Sequence, residues 1–378
     1  MKAELAPKHT QKIGNNYVLW FERSNSYVVI SATTYRLLSF FFESQNKETF
    51  IQQLQEYFNI SENEAKSYFT DFSCFLDDLN PENHTLERKE SISKIPSPKF
   101  SHQYNFDNSS IVINYGSEKL SQLIHPYLQH ALIKDSKSAK TVFDIFDDHG
   151  LLYLFKNKSF IGSYNMASFH FLQGKFAMEL VTSIYDNSES DWLATFHAST
   201  VCNEEEAIMI IGDSGNGKST LSALLMAHGF DLLADDFTPM LAKNQQLYRF
   251  PAAISIKKGA FKTIEDLFED FKSLKSQKSN SKPITVKYLP PSKPFKSSQK
   301  QFECHKLVRV KYSENSLNEL CKATSETILQ TFIPDSWISP KSEHSKKFLD
   351  WLSNLKFYEL TYNDNDFAIA KFKELFAL

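Results

Sequence analysis

The sequence predicts an α/β protein of two domains: a small α+β domain over residues 1–85, a linker at 86–99, and a larger α/β domain over residues 100–378. Three observations predict this arrangement. The chain has 378 residues, a length typical of about two domains. Its first part shows a hairpin pattern followed by three amphipathic helical segments. Its second part contains an apolar strand, a glycine-rich turn, a helix and a further strand in direct succession.

Side-chain periodicity predicts the elements of the N-terminal domain. Residues 17–21 and 27–30 are rich in β-branched and aromatic side chains, and a short polar stretch separates them, which indicates a hairpin. Apolar residues then recur at helical spacing through 32–43, 47–58 and 62–79. We therefore expect a hairpin followed by three helices.

The third of these helices has a recognisable start. The hydroxyl of Ser61 can accept a hydrogen bond from the first turn while the Glu64 side chain bonds back to the cap, which is the spacing of a capping box. After the helix, from about Asn80 to Lys99, the chain is charged and contains prolines. Such a composition is typical of a linker.

Beyond the linker the chain alternates between strand and helix patterns, which is typical of an α/β domain. Residues 272–301 are dense in lysine, serine, glutamine and proline, and are predicted to form a long excursion. The predicted elements are strands at 111–115, 151–155, 159–164, 306–312 and 357–362, a helix at 166–185, and a strand that ends near His197.

Composition excludes several classes of protein. A net charge of −3 argues against a nucleic-acid-binding protein that works mainly through bulk charge. The most apolar windows are shorter than the ~20 residues that span a bilayer, and the N-terminus lacks the apolar core of a secretory signal. The four cysteines show neither metal-ligand nor CxxC spacing. We therefore expect a cytoplasmic protein with no nucleic-acid or membrane partner.

One stretch, IMIIGDSGNGKST at residues 208–220, matches the phosphate-loop pattern GxxxxGK[ST] between an apolar strand and a helix. Glycines let successive backbone N–H groups point at phosphate oxygens, and the helix N-terminus adds its positive end. Lys218 can reach the β- and γ-phosphates, and the hydroxyl of Ser219 can ligate Mg²⁺. The predicted phosphate-binding residues are Gly212, Asp213, Ser214, Gly215, Asn216, Gly217, Lys218, Ser219 and Thr220.

An aspartate pair follows the next helix. Asp235 and Asp236 end a short apolar stretch, DLLADD. If strand geometry persists through the pair, the two side chains point to opposite faces. One carboxylate can then hold the metal through water while the other takes the proton of an acceptor hydroxyl; a capping or turn pair is the alternative. His197 either meets the phosphates, tunes the base, or is a structural residue.

Together these residues resemble the catalytic domain of HPr kinase/phosphorylase and its relatives. The resemblance is carried by FHASTV, GDSGNGKS, AHGFDLLADDF, FPAAISIKKGAF and YELTYNDNDFA, and it covers residues 100–378. It implies a P-loop kinase fold related to ATP-dependent phosphoenolpyruvate carboxykinase. It also implies phosphorylation of serine with Mg²⁺ and a nucleotide, which is ATP or GTP because no base-reading motif is evident.

The same resemblance implies roles for individual residues. By position, Asp235 would be the catalytic base, Asp236 a partner of Ser219 at the metal, and His197 a neighbour of the phosphates. Lys218 completes the predicted catalytic set.

The chain departs from this family at one point. Members carry an acidic residue shortly before an arginine-glycine pair, whereas residues 255–259 here read SIKKG. The departure removes one metal contact, and it argues against the reverse phosphorylase reaction and against HPr as the substrate. Lys257 and Lys258 either contact phosphate instead or lie in a solvated loop.

Residues 10–80 resemble the PqqD-like winged-helix fold, the peptide-recognition element of enzymes that mature ribosomally made peptides. The likeness is one of layout: a hairpin, then ISATTYRLLSFF, KETFIQQLQEYF and SENEAKSYFTDFSCFLDDL. It implies that a leader peptide pairs with the strand edge at 27–30 and lies against the helix at 62–79. A generic winged helix or a dimerisation domain is the alternative.

Joined, the two resemblances predict a kinase that captures a precursor peptide by its leader and phosphorylates a serine or threonine on it. Tethering would raise the effective concentration of the acceptor. Two alternatives stay open: a kinase of a small metabolite such as free serine, and a non-catalytic protein that binds nucleotide and leader for another enzyme. A homo-oligomer is compatible with the family resemblance.

Overall fold

The computed structural model describes residues 3–81, 94–134, 138–278 and 284–377. It divides into two compact units, one of Met1–Leu86 with Lys322–Phe357 and one of Glu87–Cys321 with Tyr358–Leu378. Of the predicted linker at 86–99, residues 86–93 lie outside the described part of the chain. Residues 94–99 form neither helix nor strand.

Both units contain helices and strands, so the predicted α/β class is confirmed. Within the described residues the helices are α1 Ala32–Glu43, α2 Lys47–Phe58, α3 Glu62–Leu79, α4 Glu118–Leu128, α5 Phe169–Tyr185, α6 Lys218–Ala227, α7 Phe261–Glu265, α8 Ser325–Phe332, α9 Ser342–Ser353 and α10 Asn365–Phe376. The strands are β1 His9–Ile13, β2 Asn16–Phe21, β3 Ser26–Ser31, β4 Phe100–Phe106, β5 Ser109–Tyr115, β6 Leu132–Ile133, β7 Thr141–Asp148, β8 Leu151–Lys156, β9 Ser159–Asn165, β10 Trp192–Phe196, β11 Ser199–Cys202, β12 Glu206–Ile211, β13 Asp231–Ala234, β14 Thr238–Leu241, β15 Leu247–Tyr248, β16 Ile254–Lys257, β17 Gln277–Lys278, β18 Thr285–Leu289, β19 Gln301–Tyr312, β20 Glu319–Lys322, β21 Ser336–Ile338 and β22 Lys356–Tyr362.

The first unit begins with the predicted hairpin and three helices. Side-chain caps start each helix: Ser31 for α1, Asn46 for α2 and Ser61 for α3, the last with the expected reciprocal bond from Glu64. The hairpin strands β2 and β3 pair antiparallel, and β1 adds a third strand that the sequence analysis missed. Leu19 and Phe21 on β2 belong to the apolar core that α1, α2 and α3 share.

The other face of this small sheet is covered by a segment from late in the chain, Lys322–Phe357. Tyr27 on β3 meets the ring of Phe348 on α9 edge-on, with centroids 5.3 Å apart, and His9 on β1 bonds to the carbonyl of Ser342 at 2.9 Å. The predicted boundary at residue 85 places this segment in the larger domain, whereas in the structure it belongs to the first unit. The segment packs here because Val18 and Trp20 make the second face of the sheet apolar too, and that face needs cover.

The second unit contains a six-stranded sheet with the order β6-β4-β5-β7-β8-β9. Strand β5 alternates buried and half-buried residues along its length, and α4 and α5 contribute side chains to the core that covers this sheet. The predicted helix at 166–185 begins with one turn of 3₁₀ helix before α5. Strands β4 and β7 and helix α4 had not been predicted.

A mixed sheet carries the phosphate-loop stretch. Its strands follow the order β13-β11-β12-β19-β15-β14-β10, with β22 beside β19. Strand β12 is apolar almost throughout because it is central, with β19 parallel on one side and β11 antiparallel on the other. Helices α6 and α10 pack together over this sheet and share one apolar core with it.

The predicted excursion at 272–301 is partly ordered into a small sheet. Its strands follow the order β16-β18-β17, and residues 279–283 lie outside the described part of the chain. The side chains of Ile254 and Ile256 on β16 pack with Ala223 and Met226 on α6. This contact brings β16 beside the helix that follows the phosphate loop. Among the residues that the structure describes, no helix is both long and apolar enough to span a membrane.

Candidate functional site

The loop between β12 and α6 requires glycine at two positions. Gly212 has φ +145°, and a Cβ there would lie 2.7 Å from the carbonyl oxygen of Val310 on the neighbouring β19. Gly217 has φ +87°, and a Cβ there would lie 3.2 Å from the Tyr362 hydroxyl. Both backbones are therefore left-handed and closely packed, which only glycine tolerates without strain. The loop turns tightly against β19 and β22 before it enters α6.

Lysine and polar side chains complete the loop. The Lys218 side chain is buried, and its Nζ donates to the Gly212 carbonyl at 2.6 Å, so it folds back across the loop. Asn216 Nδ2 donates to Asp213 Oδ2 at 3.3 Å. Arg309 on β19 lies 3.8 Å from the same carboxylate oxygen. The Asp213 carboxylate is thus held at the outside of the loop by two partners.

Asp235 is buried directly behind the loop. Its Oδ1 accepts from the hydroxyl of Ser219 at 3.1 Å and also from the hydroxyl of Ser199. Its Oδ2 accepts from the backbone N–H of Ser255 at 3.3 Å. Burial raises the pKa of Asp235 to about 7, the Asp236 carboxylate adds to the rise, and the three hydrogen bonds oppose it. The side chain is 5% exposed and does not line the cavity described below.

Asp236 points the other way. Strand β13 ends at Ala234, and Asp236 adopts a left-handed backbone with φ +61°. Its carboxylate is 47% exposed and lies 3.9 Å from His197 Nε2. The other imidazole nitrogen, Nδ1, is 3.3 Å from the Asp236 carbonyl oxygen. The Asp235 carboxylate is thus buried and the Asp236 carboxylate exposed, but the chain bends at this pair after β13 has ended, so the predicted alternation of a strand is not the cause.

These groups surround a cavity of about 430 Å³ within the second unit. Of the residues predicted from sequence, Gly212, Asn216 and Asp235 do not line it: the first two shape the loop, and Asp235 lies behind Ser219. The predicted residues that line the cavity are His197, Asp213, Ser214, Gly215, Gly217, Lys218, Ser219, Thr220 and Asp236.

Residues outside the loop also line the cavity: Lys257, which the sequence offered as one of two alternatives, and Tyr312, Tyr362 and Asn365, which it did not indicate. Lys257, at the end of β16, reaches the loop tip, where its Nζ lies 3.3 Å from the Ser214 hydroxyl. Tyr312 and Tyr362, whose ring centroids are 5.4 Å apart, line the side beside Gly217. Asn365, at the start of α10, lines it too. The SIKKG stretch was a usable signal for Lys257, whereas nothing local to the loop pointed to the two tyrosines.

The chemistry of the oxygen donors suits a magnesium ion. Magnesium in nucleotide sites takes one or two protein ligands and fills its octahedron with phosphate oxygens and water. Ser219 Oγ with the Asp235 carboxylate behind it is such a set. The described residues contain no group of three or more histidine, cysteine, aspartate or glutamate side chains that could hold a metal without a ligand's help.

The fold and the site together define an α/β protein with a phosphate-loop cavity. No protein-family model matches the chain, and no curated protein matches it. Among solved structures, the chain is similar to the Hpr(Ser) kinase/phosphatase from Coxiella burnetii, at 14% identity and a TM-score of 0.22, over 48% of this chain and 96% of that one. Likeness at this level carries no argument about function, and the PqqD-like resemblance stays a prediction.

Proposed function

We propose that the protein is a phosphotransferase that moves the γ-phosphoryl group of a nucleoside triphosphate to an acceptor hydroxyl. One observation carries the proposal: Lys218 and Ser219 of the phosphate loop and the exposed carboxylate of Asp236 line one cavity, and the Asp235 carboxylate lies behind Ser219 in a pair suited to Mg²⁺. A kinase needs an exposed carboxylate within reach of its acceptor.

The loop and two lysines would hold the phosphates. Residues of the loop and of the first turn of α6 line the cavity, and their backbone N–H groups would supply fixed positive dipoles. The Lys218 ammonium would exchange its bond to the Gly212 carbonyl for the β- and γ-phosphate oxygens. Lys257 Nζ lies beside the Ser214 hydroxyl and would add a second cation. Such preorganised charge accounts for most of the catalysis in phosphoryl transfer.

Ser219 and Asp235 would hold the magnesium ion. When bound, Mg²⁺ neutralises charge on the phosphate oxygens. Ser219 contributes its hydroxyl oxygen as a ligand, and Asp235 orients that hydroxyl by accepting its proton in a hydrogen bond. The hydrogen bonds from Ser199 and Ser255 keep the Asp235 carboxylate in place.

Asp236 would act as the base. In the transfer step the acceptor O–H gives its proton to the Asp236 carboxylate, and the acceptor oxygen forms a bond to the γ-phosphorus. The bond from that phosphorus to the bridging oxygen breaks, and the nucleoside diphosphate leaves with the electron pair. His197 lies beside Asp236 and orients its carboxylate. In this proposal the two aspartates exchange the roles that the HPr kinase resemblance implies, because Asp235 lacks access to the cavity.

The test is mass spectrometry of candidate acceptors incubated with the full chain, Mg²⁺, and ATP or GTP. A gain of one phosphoryl group on an acceptor supports transfer. Lys218→Ala serves as the matched control, because it removes the phosphate-binding ammonium and should abolish the gain. Nucleotide binding without transfer to any acceptor would instead favour a non-catalytic nucleotide-binding partner.

The acceptor we propose is a serine or threonine of a ribosomally made precursor peptide. Two features of the first unit support it. Strand β3 pairs with β2 on one side and, within the described residues, with no strand on the other. Such an edge can take up an extended peptide through main-chain hydrogen bonds. The PqqD-like resemblance implies that helix α3 forms the wall of the peptide groove. This helix packs on the sheet through Phe75, whose ring centroid is 6.2 Å from that of Phe21.

Peptide and metabolite acceptors can be told apart with the intact chain. Deletion of residues 1–85 is unsuitable as a test. It would remove the small sheet, and the segment that contains Phe348 packs on that sheet. Three acceptors should be compared instead: a leader-bearing peptide, the same peptide without its leader, and free serine. Faster phosphorylation of the leader-bearing peptide supports the proposal. Equal rates for both peptides, or transfer to free serine alone, would refute it.

A further inference from the structure

A second cavity continues from the phosphate-loop cavity along helix α6. It has a volume of about 320 Å³ and lies between α6, the turn after α7 and the start of α10, all within the second unit. Thr263 and Asn365 line both cavities, so the two form one continuous groove. The proposed transfer chemistry lies at the Asp236 end and uses none of the residues that only the second cavity contains.

The positions of the lining residues along α6 show how far the second cavity lies from the phosphate loop. Thr220 lines the first cavity, and Leu224 and His228 line the second. Thr220 and Leu224 lie one helical turn apart, and His228 follows at the end of the helix, so the groove runs about 12 Å beyond Thr220 at 1.5 Å per residue. In a phosphate loop the backbone N–H groups hold the α- and β-phosphates, and the lysine reaches the β- and γ-phosphates. With the γ-phosphate toward Asp236, as the proposed function requires, the second cavity is the part of the groove that is left for the group attached to the α-phosphate.

The lining favours an uncharged ring with hydrogen-bond donors. Leu224 and Ile369 form a buried apolar floor, and Leu267 adds an exposed leucine at the side. The charged residues that line it are Asp266, Asp366 and Lys262, and His228 lines it too. Carboxylates repel further phosphate and accept hydrogen bonds from amino and hydroxyl groups. The groove thus has Lys218 and Lys257 where the phosphates bind, and two carboxylates over an apolar floor at its far end.

We infer that this second cavity binds the nucleoside part of the nucleoside triphosphate, with the base over Leu224 and Ile369 and donor groups of the base or ribose toward Asp266 or Asp366. This inference rests on the proposed function, because it takes the phosphates to lie in the loop. It also gives the nucleotide a single orientation, with the γ-phosphate toward Asp236.

Calorimetric titration of the full chain with Mg-ATP, Mg-GTP and Mg-tripolyphosphate tests the inference. Tripolyphosphate offers the loop the same phosphate chain without a nucleoside. At least one nucleotide should bind about tenfold or more tightly than tripolyphosphate, because it buries a ring on an apolar floor. In the double variant D266A/L267A, which alters a solvent-exposed turn, nucleotide affinity should fall toward that of tripolyphosphate, and tripolyphosphate affinity should stay unchanged.

Leu132→Ala is the matched control, since Leu132 and Leu267 are each 40% exposed and Leu132 lies on β6. It should leave all three affinities as they are. Equal binding of nucleotides and tripolyphosphate by the native chain would overturn the inference while leaving phosphate binding intact. A parallel loss of tripolyphosphate affinity in D266A/L267A would also overturn it. If neither nucleotides nor tripolyphosphate bind, the proposed function fails together with the inference.

Discussion

The hydroxyl of Ser219 lies 3.1 Å from Oδ1 of Asp235, and this contact joins the phosphate loop to the strand that follows its helix. It places a buried carboxylate beside the loop serine, where a metal ion bound with nucleotide would lie. The adjacent Asp236 is left to face the cavity with His197. Two neighbouring residues of the same type therefore have different environments, and different chemistry follows from that difference.

Replacement of Asp235 and of Asp236 by asparagine should have different effects on transfer and on nucleotide binding. Asp236→Asn should lower the transfer rate by roughly 10²- to 10⁴-fold with little change in Mg-nucleotide affinity, because it removes only the base. Asp235→Asn should raise the Mg²⁺ concentration needed for nucleotide binding, because it alters the group behind Ser219. Calorimetry and a transfer assay on the same variants measure both. The reverse pattern would return the base to Asp235.

Lys257 should contribute to transfer although it lies outside the loop motif. Lys257→Ala removes the cation whose Nζ lies 3.3 Å from the Ser214 hydroxyl, and we expect transfer to slow by about tenfold or more. The matched control is Lys258→Ala, which removes a neighbouring lysine that does not line the cavity. If both variants transfer at the native rate, Lys257 belongs to a solvated loop.

Gly212 should not accept even one methyl group. Gly212→Ala would bring Cβ to 2.7 Å from the Val310 carbonyl oxygen at φ +145°, at a cost of about 1–3 kcal/mol in the free energy of unfolding, and nucleotide affinity should fall with it. Gly174→Ala is the contrast, because Gly174 lies in α5 with nothing within 4 Å of the added Cβ. That change should stabilise the protein by about 0.5–1 kcal/mol, and thermal unfolding measures both.

Acid should destabilise the second unit through a stacked histidine pair. His102 and His125 have ring centroids 4.1 Å apart, and His125 Nδ1 lies 2.8 Å from the Tyr104 hydroxyl. Burial, with repulsion from His102, lowers the pKa of His125 from 6.5 to about 4, and burial also lowers the pKa of His102. Between pH 6.5 and about 4 the unfolded chain binds more protons at His125 than the folded chain does. Stability therefore falls as the pH falls through that window.

The measurement is urea unfolding at a series of pH values. We expect the free energy of unfolding to drop by roughly 1–2 kcal/mol across the window, less than the full pKa shift would give because the rings are partly solvated. His125→Gln should flatten the profile. His149→Gln is the control, since that imidazole is 93% exposed and should leave the profile unchanged. An unaltered slope in His125→Gln would mean that other groups cause the pH dependence.

Sequence reasoning was most successful where the deciding interactions are local. Helices α1, α2 and α3 have the predicted bounds because their caps and their apolar spacing lie within the same few residues. Strand β4 was missed because it exposes polar residues over much of its length, although its partner β5 follows it directly in the chain. Its pattern resembles a loop until β5 lies beside it.

The phosphate loop could be predicted from the sequence alone, because its glycines, lysine and serine bind a ligand through their own backbone and side chains. Long-range packing decided what surrounds it. Lys257, Tyr312 and Tyr362 reach the cavity only because β16, β19 and β22 converge there. The turn at Asp236 separates the two aspartates into a buried and an exposed group. The sequence by itself thus determined which functional groups the site contains. Which carboxylate is buried behind the loop and which faces the cavity depends on contacts between residues far apart in the chain, so only the tertiary structure decided it.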